Sequence, residues 1–531
     1  MGIDAIKTFK FLALSASGLL LASCVTTEDA APNEQASAAA AVAVLDGAAA
    51  RIRADVAYLA DDAMEGREAG TRGYDTAADY VAARMDGMRL SPGADGGWFQ
   101  DVRLRTASSV PEASKLSVTN ASGETVELTF LEDFIIAPSL ESETIAFTAS
   151  AVFVGYGVYA PELGHNDYEG LDIRGKVVVR FGGAPDFFDS EARAHFGSSA
   201  VKAEYIASQG AVATISIYSD DIEQQYPWDR LTRNPVSSST TWLRPDGSAE
   251  VSGAGLQGAI SINPESTEQL FDGAVRSYSG VREEEAVEGA APEGFDLAVT
   301  LTAGAAATFE EVDSANVVGV IEGADPALRN EALVITAHLD HVGVDEHMRG
   351  KKDDIINNGA MDNALGVAML LETARRFQEG PPPARTVIFV AVTAEEKGLL
   401  GADLFAQFPT LGDKEIIANV NLDMPLMLHS FTDIVAFGGE RSSLGPLIEN
   451  AVAEIGVAVS PDPFPELGVF TRSDHYRFVE QGVPSVFLWP GFENGGEEVI
   501  TEFLATHYHN VTDDMSLPVL WNDAARFADV N

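Results

Sequence analysis

Thr386-Val387-Ile388-Phe389-Val390-Ala391-Val392-Thr393-Ala394-Glu395-Glu396 is the stretch that decides the fold. A β-branched and aromatic run of this length reads as a strand buried on both faces. Two adjacent carboxylates at its mouth are costly unless cations compensate them. Runs of the same texture occur at 332–337, 416–422 and 484–489. Between the first two runs, Val367, Leu370, Leu371, Ala374 and Phe377 mark one face of a helix that stops before Pro381-Pro382-Pro383. Strands alternating with amphipathic helices predict an α/β sheet with helices on both faces, and no internal repeat accompanies it.

An open α/β sheet places its ligand crevice at the carboxyl ends of its strands. Polar residues gather there in five groups: His338-Leu339-Asp340-His341, Gly359-Ala360-Met361-Asp362-Asn363, Glu395-Glu396, Asn421-Leu422-Asp423-Met424, and Tyr508-His509-Asn510-Val511-Thr512-Asp513. Residues i and i+2 of an extended chain face the same side, so His338 and Asp340 can be adjacent. Metal-bound histidine usually donates its other N–H to such an acceptor. Taken singly, each group also has a plain structural reading: a satisfied core histidine, a helix N-cap at Asp362, a surface pair at Glu395-Glu396. Together they are the donors that zinc takes, imidazole and carboxylate.

The five motifs, in this order, resemble the di-zinc aminopeptidase family that includes bacterial leucyl aminopeptidases, streptomycete aminopeptidases and glutamate carboxypeptidase II. The resemblance implies the zinc-exopeptidase sheet, two zinc ions per chain and peptide substrates. It implies Asp362 as the carboxylate shared by both ions, with His338 and Asp423 completing one site and Glu396 and His509 the other. It places Glu395 as general base and Asp340 as the partner of His338. His507 competes for the place of His509, which is preferred because it follows Tyr508. Ser473-Asp474-His475 resembles another family position near the cleft, where Asp474 and His475 would orient substrate or a neighbouring carboxylate, with structural hydrogen bonding as the plain reading. His341, His347, His429, His165 and His195 read as surface or loop histidines. A glutaminyl cyclase shares the fold but uses one zinc, and a receptor-like binding protein of the transferrin-receptor kind has lost the ligands. The complete set favours the hydrolase over both, while the preferred side chain and the choice between amino- and carboxypeptidase stay open.

The resemblance extends to Met64-Glu65-Gly66-Arg67-Glu68-Ala69-Gly70, whose glycines permit close approach to the catalytic core, and to an inserted β-rich protease-associated domain. The latter rests on Gly155-Tyr156-Gly157, Asp167-Tyr168, Gly175-Lys176-Val177 and Ala207-Ser208-Gln209-Gly210-Ala211. The expected layout is a catalytic part over 46–130, the insert over 131–285 and the main catalytic part over 286–531, with an acidic linker near 282–293.

Composition limits the partners. The 531 residues are 46% hydrophobic, enough for two or three cored domains. With 81 Asp and Glu against 34 Lys and Arg, the formal charge of −47 repels polyanions and argues against nucleic acid. Lys7 and Lys10 precede an apolar run over 11–22, shorter than the roughly 20 residues of a membrane-spanning helix, and Leu21-Ala22-Ser23-Cys24 closes it. Cys24 is the chain's single cysteine. The run resembles a bacterial lipoprotein signal peptide over 1–23, with Cys24 lipidated and 24–45 a tether. Val25 after the cysteine favours the outer membrane, facing the periplasm or the cell surface, so that the lipid is the only membrane contact expected.

Overall fold

In a computed structural model, the described residues are Leu45, 47–94, 96–219, 222–223 and 227–530. Cys24, the signal peptide and most of the tether lie outside them. No helix among the described residues is long and apolar enough to cross a membrane.

Four parallel strands form the centre of the main sheet: Thr386–Val392, Glu331–His338, Glu415–Asn421 and Ser485–Pro490, in that spatial order. Every residue of Thr386–Val392 is buried. The pleat sends Val387, Phe389 and Ala391 to one face and Ile388, Val390 and Val392 to the other. The first face packs on helices Gly47–Leu59, Arg72–Gly87 and Leu365–Glu379, the second on Leu400–Gln407 and His475–Glu480. This is why the strand reads as an unbroken apolar run rather than an alternating one. Asp433–Phe437 and Ala458–Ser460 extend the sheet beyond Ser485–Pro490.

The strand Phe295–Ile321 spans 27 residues and belongs to two sheets. Its last part pairs with Thr386–Val392 and Phe99–Ser109, its first part with Lys115–Asn120 and Thr144–Phe153. The second sheet continues through Val177–Phe181, Ala213–Ile217, Ala259–Ile262 and Phe134–Ile136 around its own core.

These pairings redraw the insert expected over 131–285. Lys115–Asn120 and Thr125–Leu128, expected in the catalytic part, sit in the insert's sheet. Ser238–Trp242, expected in the insert, pairs with Phe99–Ser109 in the main sheet. The cause is Trp242, whose indole packs with Val102, Leu104 and Leu400 and donates to Asp403 Oδ2 at 2.7 Å. Of the stretch expected to be a linker, residues 282–285 close the helix Tyr278–Glu285 and 286–293 are irregular, before the long strand begins at Phe295.

Candidate metal centre

The parallel strands deliver the polar groups to one place. His338 ends its strand, while Glu395 and Asp423 follow theirs directly. Asp362 comes from the irregular turn Ala360–Ala364 ahead of Leu365–Glu379, with φ −110° and ψ 89°, so it is not a helix cap. His338 Nε2 stands 3.3 Å from Asp362 Oδ1 and 3.1 Å from Asp423 Oδ1. His509 Nε2 stands 3.2 Å from Asp362 Oδ2 and 3.0 Å from Glu396 Oε2. The two oxygens of Asp362 therefore face two separate sets of donors. Ala394, Met424 and His509 carry φ of 55°, 43° and 52°. Left-handed backbone at non-glycine residues costs on the order of 1–3 kcal/mol each and collects where a site fixes its side chains.

The surroundings hold these groups still. Asp513 accepts the amides of Met361 at 2.9 Å and Asp362 at 3.0 Å, which ties the His509 loop to the shared carboxylate. Asn421 Nδ2 donates to Ser473 Oγ at 2.6 Å, and Ser473 in turn donates to Asp423 Oδ2 at 2.5 Å. Asp340 corrects the expected pairing. Its backbone carbonyl, not its carboxylate, lies 3.1 Å from His338 Nδ1. The carboxylate accepts from the amides of Glu395 at 3.1 Å and Glu396 at 3.3 Å, so it orients the next strand's mouth.

Arg67 is fully buried and was hidden in the sequence among small residues. Its guanidinium donates to the carbonyls of Leu339 at 2.9 Å, Asn358 at 2.7 Å and Gly359 at 3.0 Å, and also to Leu59. It thus joins the end of the His338 strand to the loop that presents Asp362. Gly66, at φ 69°, lets this segment pass close: a Cβ there would stand 2.6 Å from the Asn357 carbonyl. Arg67→Met should destabilise the fold by about 3 kcal/mol or more, because each buried acceptor left unpaired costs about 1–3 kcal/mol. The midpoint of denaturant unfolding measures this, and a shift below about 1 kcal/mol would contradict it.

Two of the histidines expected on the surface or in loops lie in loops but are buried. His429 is buried against the Gly491 carbonyl at 3.1 Å. His341 is 1% exposed, with Nδ1 2.8 Å from Glu396 Oε1 and 3.7 Å from Asp362 Oδ2. Asp474 and His475, expected to orient substrate, are both fully buried. His475 lies among the rings of Phe470 and Phe487, 5.5 Å from each, and burial pushes it down to about 3. Burial also pushes Asp474 up to about 8, against the pull of His338. Neither side chain is presented to a substrate. His195, of the insert helix Ser190–Gly197, meets Tyr476 Oη at 2.7 Å, and Arg441 pairs with Glu191 at 2.5 Å, so the insert braces the segment that carries Ser473.

The electrostatics call for cations. Burial and Asp362 push Glu396 up, yet hydrogen bonds from His341 and His509 bring it down to about 2. Burial pulls His509 down, but Asp362 and Glu396 raise it to about 10. Burial likewise opposes charge on His338, and Asp423 and Glu395 raise it well above the ordinary range. The buried carboxylates thus favour positive charge at these rings. The same places offer donors that could hold metal ions: His338, Asp362 and Asp423 form one group, and His341, Asp362, Glu396 and His509 the other.

A mixed α/β sheet with imidazole and carboxylate donors at its strand ends offers a crevice that can hold metal ions. Residues 316–531 match the family model described as "Peptidase family M28". A "Probable zinc metalloprotease" of Pyrenophora tritici-repentis is 46% identical over 163 residues, 25% of this chain and 37% of that protein. A protein of the same description from Pyrenophora teres f. teres is 47% identical over 66 residues, 12% of this chain and 14% of that one. The chain thus spans 37% or less of the length of these curated relatives. Among solved structures, an aminopeptidase from Aneurinibacillus sp. strain AM-1 is 19% identical, with a TM-score of 0.48 over 91% of this chain and 92% of that one.

Proposed function

We propose that the protein is a two-zinc exopeptidase that hydrolyses N-terminal residues from peptides. The observation that carries this reading is the division of Asp362, one oxygen toward His338 and Asp423 and the other toward Glu396 and His509. When bound, a zinc pair activates water and polarises the scissile carbonyl. His338, Asp423, Glu396 and His509 would hold the pair, with Asp362 offering one oxygen to each set of donors. Glu395 accepts the water's proton and delivers it to the leaving amine. Burial raises the Glu395 carboxyl well above its ordinary range, against His338 and with the help of Glu396 and Asp423, the direction a proton acceptor near neutral pH needs. Asp340 and Arg67 keep these groups in register. A mono-zinc cyclase has no use for a carboxylate divided between two sets of donors, and a receptor-like protein has no use for the complete set. Metal analysis with a panel of aminoacyl and N-blocked peptides tests the reading. Two ions per chain and cleavage only at free N-termini are expected, and cleavage of blocked peptides at equal rates would refute the exopeptidase.

The export reading belongs to the same proposal: a lipid-anchored enzyme of the bacterial envelope, attached through Cys24. The mature chain is expected to start at Cys24 and to partition with membranes. Mass spectrometry finding an unmodified N-terminus, or cleavage elsewhere, would exclude it.

A further inference from the structure

His341 takes no part in the scheme above, yet it occupies the centre. Its Nδ1 faces Glu396 Oε1 at 2.8 Å and Asp362 Oδ2 at 3.7 Å, while His509 Nε2 faces the other Glu396 oxygen at 3.0 Å and the same Asp362 oxygen at 3.2 Å. Around one tetrahedral zinc, with bonds of roughly 2.0–2.1 Å, neighbouring donors stand about 3.3–3.4 Å apart. The four distances bracket that value. They also match the contacts of His338 with Asp362 and Asp423, at 3.3 and 3.1 Å. The fold makes room for the ring. Gly359 lies over it at φ 59°, where a Cβ would stand 2.7 Å from His341 Cγ and Cδ2. His341 Nε2 is buried without a protein partner, so the proton that Nδ1 donates to Glu396 Oε1 can be carried on Nε2 instead, freeing the Nδ1 lone pair for a cation.

We infer that His341 is a fourth protein ligand, through Nδ1, to the ion held by Asp362, Glu396 and His509. Resting on the two-zinc reading, the inference makes the pair unequal. Four protein donors close one site, as in structural zinc, while the site of His338, Asp362 and Asp423 keeps its open position. The closed site should fill first and empty last.

The test uses the full-length protein labelled with [¹⁵N]histidine and loaded with ¹¹³Cd²⁺. Among nine histidines, three imidazoles should show direct nitrogen–cadmium coupling, one through Nδ1 and absent in His341→Gln. Coupling confined to His338 and His509 would overturn the inference and leave the two-ion reading standing. Coupling to no imidazole would remove both. A second readout is stepwise chelation of the zinc-loaded protein, followed by metal content. Wild type should give up one ion readily and retain the other. In His341→Ala the retained ion should bind more than about 100-fold more weakly, since losing even an outer partner costs about 10- to 100-fold. Unchanged affinity for that ion would contradict the assignment.

Discussion

Glu395→Gln is expected to lower turnover by about 10² to 10⁴ while two ions remain bound, the usual range for removal of a general base. The amide has the shape of the carboxylate but cannot accept a proton. The change leaves the local fold in place, because the contact that fixes this residue is its backbone amide, bonded to Asp340 Oδ1 at 3.1 Å. Turnover of a leucyl substrate, measured beside zinc content, separates the roles of the adjacent carboxylates. Glu396→Gln should weaken metal binding instead, since both of its oxygens face imidazoles of one donor set. Normal hydrolysis by Glu395→Gln, or loss of an ion from it while Glu396→Gln keeps both, would show the two roles reversed.

Asp362→Asn is expected to be the most damaging single change. Zinc content should fall from two to one or fewer, with hydrolysis reduced at least as far as by Glu395→Gln. An amide offers one oxygen where the carboxylate offers two, and it removes a negative charge from between two dications. The backbone amide of residue 362 still reaches Asp513, so the protein should remain folded. Retention of both ions in a folded Asp362→Asn protein would rule out the shared carboxylate.

The strands were legible because burial on both faces leaves a nearly pure apolar run. The runs at 332–337, 386–393 and 416–422 correspond to Glu331–His338, Thr386–Val392 and Glu415–Asn421. The polar residues at their ends were legible because charge beside such runs has few uses. His341 was not. Period-two reasoning holds only while the chain is extended, and the strand ends at His338. Beyond it the chain leaves the sheet, the His341 amide reaches the Arg67 carbonyl at 3.3 Å, and the ring swings inward. Arg67 escaped notice because its partners are backbone carbonyls from three separate stretches, which no local pattern encodes. The depth of Asp474 and His475 was not legible, because a short Ser-Asp-His stretch carries no signal of it, while Ser473 of the same stretch does reach the Asp423 carboxylate. The borders of the insert were misjudged because the alternating texture of Phe295–Ile321 does not change where the strand passes from one sheet to the other.

That strand also governs how the molecule comes apart. Its first half is a rung of the insert's sheet and its second half a rung of the main sheet, within one unbroken strand. Melting either sheet strips hydrogen bonds from the same length of chain that the other depends on, so the two sheets are expected to unfold together, as one calorimetric transition rather than two. On that expectation neither sheet can be shed while the other survives, and substitutions far from the strand ends can shorten the working life of the candidate metal centre.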